Sequence, residues 1–224
     1  MKHQALQVIV RRGIQIGTVL DVGVLTGTPE LKVHFPAAFH LLFEPVIEFN
    51  TAIEQTYRGV RHEIINVAVS DKSGESLLVL DSIVDIPGLE FSHSHVTSEA
   101  PNGSVHRTVP MTTLDDFLRD RELPEPYLLK IDIDGHELAA IAGATETLKK
   151  CAVVIVEAQV AELPQRISAI ASQGFILFDL VEPCYYDRAL WQCDALFLRE
   201  DVHRRHFANL AADFDRAKYE MFTG

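Results

Sequence analysis

Charged residues alternate with apolar ones in one strand-like segment, Leu128–Glu137. Lys130, Asp132 and Asp134 are interleaved with leucine and isoleucine, and Gly135 follows them. A central parallel strand is usually apolar throughout, because helices cover both its faces, and burying an unpaired carboxylate is costly. Either this is an edge strand with a wet face, or Lys130 and Asp132 pair on one face beside a ligand. The second interpretation predicts that Lys130 and Asp132 are catalytic residues that position an acceptor.

A glycine-containing turn follows the first strand-like segment of the chain. Asp21 lies near the end of that segment, Gly23 and Gly27 follow it, and Glu44 lies 21 residues beyond Gly23. In Rossmann-like folds an acid at this distance binds the ribose hydroxyls of a nucleoside. The charge of Asp21 would repel a pyrophosphate but suits the cationic ammonium and sulfonium of S-adenosylmethionine. These four residues are predicted cofactor contacts; the alternative is that Asp21 caps a turn and the glycine spacing is accidental.

Four further residues are candidates for ligand contacts. Asn66 and Ala68 end the third strand-like segment, where an adenine would lie, although an Asn at a strand end is often simple turn chemistry. His93 and His95 share one side of an extended segment and are predicted to face the acceptor substrate or a metal. The alternative for both histidines is a solvated loop.

Two acids at adjacent strand ends suggest a metal site. Asp132 and Glu157 could present carboxylate oxygens to Mg²⁺, which prefers oxygen ligands. An alcohol is a poor nucleophile at neutral pH, so a general base or a metal must assist its reaction. We therefore predict Mg²⁺ as a possible second cofactor.

Strands that alternate with helices must position these residues. The pattern predicts one α/β domain over 1–224, with a Rossmann-like, mostly parallel seven-stranded sheet whose strands cover 18–22, 40–43, 63–69, 127–133, 152–156, 175–181 and 195–198. Ligands of such sheets lie at the carboxyl ends of the strands. The additional segments are an N-terminal helix over 1–13, a β-hairpin and loop insertion over 71–111, and an amphipathic C-terminal helix over 201–224 that could form a homodimer contact.

Composition excludes several classes of partner. The formal net charge is -12, which argues against a nucleic-acid substrate. The three cysteines have no metal-site spacing, so we expect reduced thiols and a cytoplasmic protein. No apolar run approaches the roughly 20 residues of a membrane span, and we expect no membrane partner.

Several segments together resemble the FkbM-type methyltransferase family. They extend in order from about Gly13 to Arg199 and are 19–27, 43–45, 66–71, 113–117, 130–138 and 156–157. The most specific is Lys130-Ile131-Asp132 with Gly135 and Glu137 following, and Phe43-Glu44-Pro45 is next.

The resemblance implies a class I methyltransferase fold, S-adenosylmethionine as cofactor, and O-methylation of a hydroxyl on a sugar, glycan or secondary metabolite. It also implies that Asp21, Gly23 and Glu44 contact the cofactor and that Asp132 lies near the transferred methyl. The chain departs from the family at Val24-Leu25, where Ala-Asn is usual, and at Asp134, where Glu is usual.

Two other functions fit part of the pattern. Glu44 and a parallel sheet also suit an NAD(P)-dependent oxidoreductase, although the chain lacks Gly-x-Gly-x-x-Gly after its first strand. The unusual Val24-Leu25 suits a non-catalytic nucleoside-binding sensor or partner protein with the same fold.

Overall fold

A computed structural model describes residues 1–82, 93–97, 104–208 and 214–220. Its helices are α1 (Lys2–Arg11), α2 (Pro29–His34), α3 (Asn50–Thr56), α4 (Leu114–Leu118), α5 (Glu137–Ala142), α6 (Thr145–Lys150), α7 (Leu163–Ala171) and α8 (Glu200–His206), with 3-10 turns at Ile47–Phe49 and Arg216–Lys218. Within these described ranges, no helix combines the length and apolar character needed to span a membrane.

Eleven strands lie in the described ranges. They are β1 (Thr18–Val22), β2 (Phe39–Phe43), β3 (His62–Ile65), β4 (Ala68–Val69), β5 (Gly74–Asp81), β6 (His93–Thr97), β7 (Val105–Thr112), β8 (Tyr127–Ile131), β9 (Cys151–Gln159), β10 (Phe175–Tyr186) and β11 (Ala189–Arg199). Seven of them form the main sheet, in the order β10-β11-β9-β8-β1-β2-β3.

The main sheet is mixed. Strands β3, β2, β1, β8 and β9 are parallel, whereas β11 is antiparallel to both β9 and β10. The predicted α/β fold with seven strands is confirmed, but the prediction of a mostly parallel sheet missed this antiparallel hairpin. Only two residues separate β10 from β11, and so short a connection can join antiparallel strands but not parallel ones.

Helices cover both faces of the main sheet, and alternate residues of each central strand enter opposite halves of the core. Leu129 and Ile131 of β8 pack with residues of α4, α5, α6 and α7, while Leu128 packs with Leu6, Ile9 and Leu31 from α1 and α2. Strand β8 is buried along its whole length between β1 and β9. The edge-strand interpretation of the Lys130 segment is therefore wrong.

A second sheet of four strands, in the order β4-β7-β5-β6, occupies the region of the predicted insertion over 71–111. It begins earlier than predicted, because the chain leaves the main sheet after Ile65 and Ala68–Val69 pairs with β7. Its apolar side chains, among them Leu78 and Val109, pack against Ile53 of α3. The second sheet thus lies over the carboxyl ends of the strands of the main sheet.

The C-terminal segment differs from the predicted helix over 201–224. Helix α8 ends at His206, and Phe207 has an extended backbone. The Phe207 ring packs 5.0 Å from the Phe178 ring, and the Arg12 guanidinium lies 5.0 Å above it. These contacts with the hydrophobic core replace a further helical turn, and Leu210 lies outside the described residues.

Candidate active site

A cavity of about 670 Å³ lies where the carboxyl ends of β1, β2, β8 and β9 meet the second sheet. Its volume is within the roughly 300–1,000 Å³ of ligand-binding pockets. Eight of the residues singled out in the sequence line it: Gly23, Gly27, Glu44, Ala68, His95, Lys130, Asp132 and Glu157. The side chain of His93 lies outside the described part of the chain, and Asp21 and Asn66 are not on the cavity wall.

Lys130 connects two carboxylates and the glycine turn. Its Nζ lies 3.0 Å from Asp132 Oδ2 and 3.5 Å from Asp21 Oδ1, and it donates a hydrogen bond of 3.3 Å to the Gly23 carbonyl. Burial disfavours the charged ammonium, but the two carboxylates outweigh it and raise the Lys130 pKa above its ordinary value. Burial likewise disfavours ionisation of Asp132, but Lys130 lowers the pKa of that carboxyl. The side-chain pairing expected from the alternating sequence is present.

Asp21 lies beneath the cavity. It is fully buried, its Oδ2 accepts a 3.0 Å hydrogen bond from the Tyr57 hydroxyl, and its Oδ1 faces Lys130. Burial and the neighbouring Asp21 raise the pKa of Tyr57, so the phenol stays a donor. Asp21 is not on the cavity wall and faces the cavity through Lys130, so its direct contact with the cofactor stays a prediction. Sequence spacing gave no signal for Tyr57.

Close packing requires a glycine at both predicted positions, Gly23 and Gly27. Gly23 has φ +82°, and a Cβ there would overlap the Asp132 carbonyl oxygen. Gly27 has φ +124°, and a Cβ there would overlap the side chain of Thr56. Between them Leu25 adopts φ +52°, which is unusual for a side chain of this size. The turn is therefore closed tightly against β8 and α3.

Glu44 stabilises this turn. Its Oε2 accepts a 2.8 Å hydrogen bond from the Leu25 N–H, and its Oε1 accepts a 2.9 Å bond from the Val46 N–H. Burial raises the Glu44 pKa to about 7. A carboxylate has about four acceptor positions, so two N–H bonds leave acceptor capacity for the hydroxyls of a ribose.

Asn66 has a structural position. Its Nδ2 donates a 2.8 Å bond to the Glu44 carbonyl, and its amide exchanges two 3.0 Å bonds with the amide of Asn50. This agrees with the turn interpretation and not with an adenine contact. Ala68, by contrast, is part of the cavity wall.

Glu157 lies beside Asp132 at the next strand end. Burial and the neighbouring Asp132 raise the Glu157 pKa to about 9, and its Oε1 accepts a 2.6 Å hydrogen bond from Gln192 Nε2. Across the described ranges no three His, Cys, Asp or Glu side chains come together as a metal site. The geometry therefore gives no support to the predicted Mg²⁺ at Asp132 and Glu157.

Glu137 fixes the loop that follows β8. Its side chain is fully buried, and its Oε1 accepts 3.1 Å bonds from the N–H groups of Ile133 and Gly135. Arg166 lies 2.5 Å from its other oxygen and also donates a 2.9 Å bond to the Glu157 carbonyl. This buried pair holds together the ends of β8 and β9, from which Asp132 and Glu157 reach the cavity.

Of the residues at the far end of the cavity, the sequence marks only Trp191, as an aromatic residue beside a late strand that either lines an acceptor pocket or packs in the core. Lys2 of α1 lines this end and pairs with Asp194 at 2.7 Å, and Gln159, Trp191 and Gln192 form the wall beyond β8. Their contribution depends on the packing of α1 and on the antiparallel β11, and no local sequence pattern marks either one.

Comparison with known proteins gives a consistent picture. The family described as "Methyltransferase FkbM domain" matches residues 21–177, which is most of the chain. The hexuronic acid methyltransferase AglP of Haloferax volcanii is 30% identical over 67 residues, covering 30% of this chain and 28% of that protein. The chain thus spans well under half the length of this curated relative.

Solved methyltransferase structures align with this chain at low sequence identity. The METTL16 methyltransferase domain aligns with a TM-score of 0.50 at 13% identity, over 88% of this chain and 65% of that one. Precorrin-6y C5,15-methyltransferase from Geobacter metallireducens aligns with a TM-score of 0.45 at 10% identity, over 87% and 86% of the two chains. At such low identity the METTL16 alignment supports the fold alone.

Proposed function

The chain belongs to the family of FkbM methyltransferase domains and is a methyltransferase that depends on S-adenosylmethionine, and from this premise we propose that it methylates a hydroxyl of a sugar, glycan or secondary metabolite. The observation that carries the proposal is the position of Asp132. Its carboxylate lines the cavity at the end of the central strand β8, paired with Lys130 and adjacent to the Gly23 turn.

The residues present fit the cofactor. The glycine turn and the spare acceptor capacity of Glu44 suit a nucleoside. Besides Glu44 and Glu157, whose pKa values are raised, the cavity wall carries the carboxyl groups of Glu30, Asp81, Asp132 and Asp134 against two lysines. This excess of acid favours a cationic ligand. When bound, S-adenosylmethionine supplies a methyl group on a positively charged sulfonium.

Asp132 is the proposed acceptor of the hydroxyl proton. The bound cofactor would supply the methyl group to the hydroxyl oxygen of the acceptor, and the Asp132 carboxylate would take up the proton that this oxygen loses. Lys130 holds this carboxylate ionised and in place, 3.0 Å from its Nζ. Positioning and proton removal together lower the barrier of an in-line transfer.

A sugar hydroxyl is the favoured acceptor. The name of the Haloferax relative gives hexuronic acid as what that protein methylates, and the shared stretch supports a carbohydrate acceptor here as a proposal.

Two measurements test the proposed function. In calorimetry we expect S-adenosylmethionine to bind and NADH not to bind, because the turn lacks the dinucleotide pattern and the cavity wall carries more carboxyl groups than lysines. With tritiated S-adenosylmethionine and cell extract we expect label in a small molecule or glycan. Binding of NADH alone would support the oxidoreductase, and cofactor binding without any transfer of label would support a non-catalytic protein.

A further inference from the structure

Trp191, Gln159 and Gln192 form one wall of the cavity, on the side away from the glycine turn. They lie on β9 and β11. In the sheet order β11-β9-β8-β1, strand β8, which precedes Asp132, lies between these two strands and β1, which precedes Gly23. The cofactor turn and this wall therefore flank Asp132 from opposite sides. An acceptor that approaches Asp132 from the side away from the cofactor turn would lie against this wall.

Backbone pairing fixes the wall. Gln192 is the direct cross-strand partner of Gln159, and the Trp191 carbonyl accepts a 2.8 Å hydrogen bond from the Val160 N–H. Gln192 is further held by its 2.6 Å bond to Glu157. The two amides and the indole thus stand on strands and not on a loop, which suits precise positioning.

The chemistry of the wall matches a sugar ring. Trp191 borders the cavity and is 45% exposed, so part of its indole is left uncovered by the protein. The negative face of an indole attracts the partly positive C–H face of a pyranose, and amides both donate to and accept from hydroxyls.

The charge of the cavity selects against anions. Apart from His95, the cationic side chains among the described residues of the wall are Lys2 and Lys130, and each pairs with a carboxylate. The wall of the cavity also carries Asp81, Asp132 and Asp134, so a ligand carboxylate or phosphate would enter a cavity in which carboxylates outnumber the two lysines. Like charges at short distance in a partly desolvated site repel strongly.

We propose that Trp191, Gln159 and Gln192 form an acceptor subsite for an uncharged pyranose, which excludes uronates and sugar phosphates. This inference rests on the proposed function and deepens it. The acceptor would therefore differ in charge from the hexuronic acid named for the Haloferax relative.

Fluorescence tests the subsite directly, because Trp191 is the only tryptophan of the chain. The full chain, saturated with S-adenosylhomocysteine, is titrated with the methyl glycosides of glucose, galactose and mannose and with methyl glucuronide. We expect at least one uncharged glycoside to shift the emission in a saturable way, and methyl glucuronide to bind at least about tenfold more weakly than methyl glucoside. Normal binding of S-adenosylhomocysteine with no change for any glycoside, or equal binding of the glucuronide, would overturn the subsite while leaving the methyltransferase proposal standing.

Variants provide the second readout, with the tightest-binding glycoside as acceptor. Trp191→Ala should raise the acceptor KM about tenfold with an unchanged KM for S-adenosylmethionine, and Trp191→Phe should restore part of the loss. The control is Tyr186→Ala on the same hairpin, since Tyr186 is 76% exposed and does not line the cavity. An effect of Tyr186→Ala as large as that of Trp191→Ala, or an equal rise in the KM of S-adenosylmethionine, would contradict a specific acceptor contact. Absence of cofactor binding in the unaltered protein would refute the proposed function itself.

Discussion

The backbone of Gly23 lies directly against the carbonyl oxygen of Asp132, and there is no room for a Cβ between them. The turn after β1 and the loop after β8 are therefore packed backbone to backbone. Lys130 strengthens this contact, because its Nζ donates a hydrogen bond to the Gly23 carbonyl and pairs with the Asp132 carboxylate. The cofactor turn and the proposed proton acceptor are held in one geometry.

We expect Gly23→Ala to abolish cofactor binding measured by calorimetry, because the added methyl must push the turn away from Asp132. Gly13→Ala is the matched control. Gly13 has a similar φ of +78° but nothing within 4 Å of an added Cβ, so it carries only the backbone strain of about 1 kcal/mol. Equal loss of binding in both variants would show that strain, and not the contact with Asp132, is responsible.

We expect Glu44 to make stability fall as pH rises from about 4.5 to about 7. Burial raises its pKa to about 7 in the folded protein, from an ordinary value of 4.5, so folding favours the protonated form and ionisation costs up to about 3 kcal/mol across this window. Urea unfolding at a series of pH values should show this slope in the unaltered chain and a shallower one in Glu44→Gln, where Glu157 still contributes because its pKa is also raised. The exposed Glu75→Gln serves as control and should keep the full slope; an undiminished slope in Glu44→Gln would contradict the assignment.

The sequence reveals those features that follow from local chemistry. Lys130 and Asp132 stand out because side chains alternate along a strand and burying an unpaired charge is costly, and Glu44 stands out by its distance from Gly23. These predictions place the three side chains in one cavity, as the structure does.

Other features depend on tertiary packing and leave no local trace. Tyr57 reaches Asp21 from α3, and Lys2 reaches the cavity from α1, only because both helices pack on the sheet. From the sequence, Asn66 fits turn chemistry at a strand end better than a ligand contact, but the end of β3 depends on the pairing of Ala68 with β7, which no local pattern marks.

We expect Lys130→Met to destabilise the protein by about 3 to 5 kcal/mol in chemical unfolding. The substitution leaves Asp21 and Asp132 without their cation, and an uncompensated buried charge is costly. Lys149→Met is the control, since Lys149 pairs with Glu146 on the exposed surface and such pairs contribute below about 1 kcal/mol. Similar losses in the two variants would contradict a buried charge network around Lys130.

We expect EDTA to leave methyl transfer unchanged, because the Lys130 ammonium already pairs with the Asp132 carboxylate at 3.0 Å. The assay compares turnover with and without excess EDTA, followed by addition of Mg²⁺. A loss of activity that Mg²⁺ restores would reinstate the metal role predicted for Asp132 and Glu157.

We expect Asp132→Asn to lower kcat by about 10² to 10⁴, the range typical of a lost general base, with little change in the KM for S-adenosylmethionine. The amide keeps the shape of the side chain but cannot take up the hydroxyl proton. Asp134→Asn is the matched control, because Asp134 also lines the cavity on the same loop and has no part in the proposed proton transfer. If kcat falls equally in both variants, the cavity's total charge accounts for the loss; if Asp132→Asn retains full kcat, another group removes the proton and the role given to Asp132 is wrong.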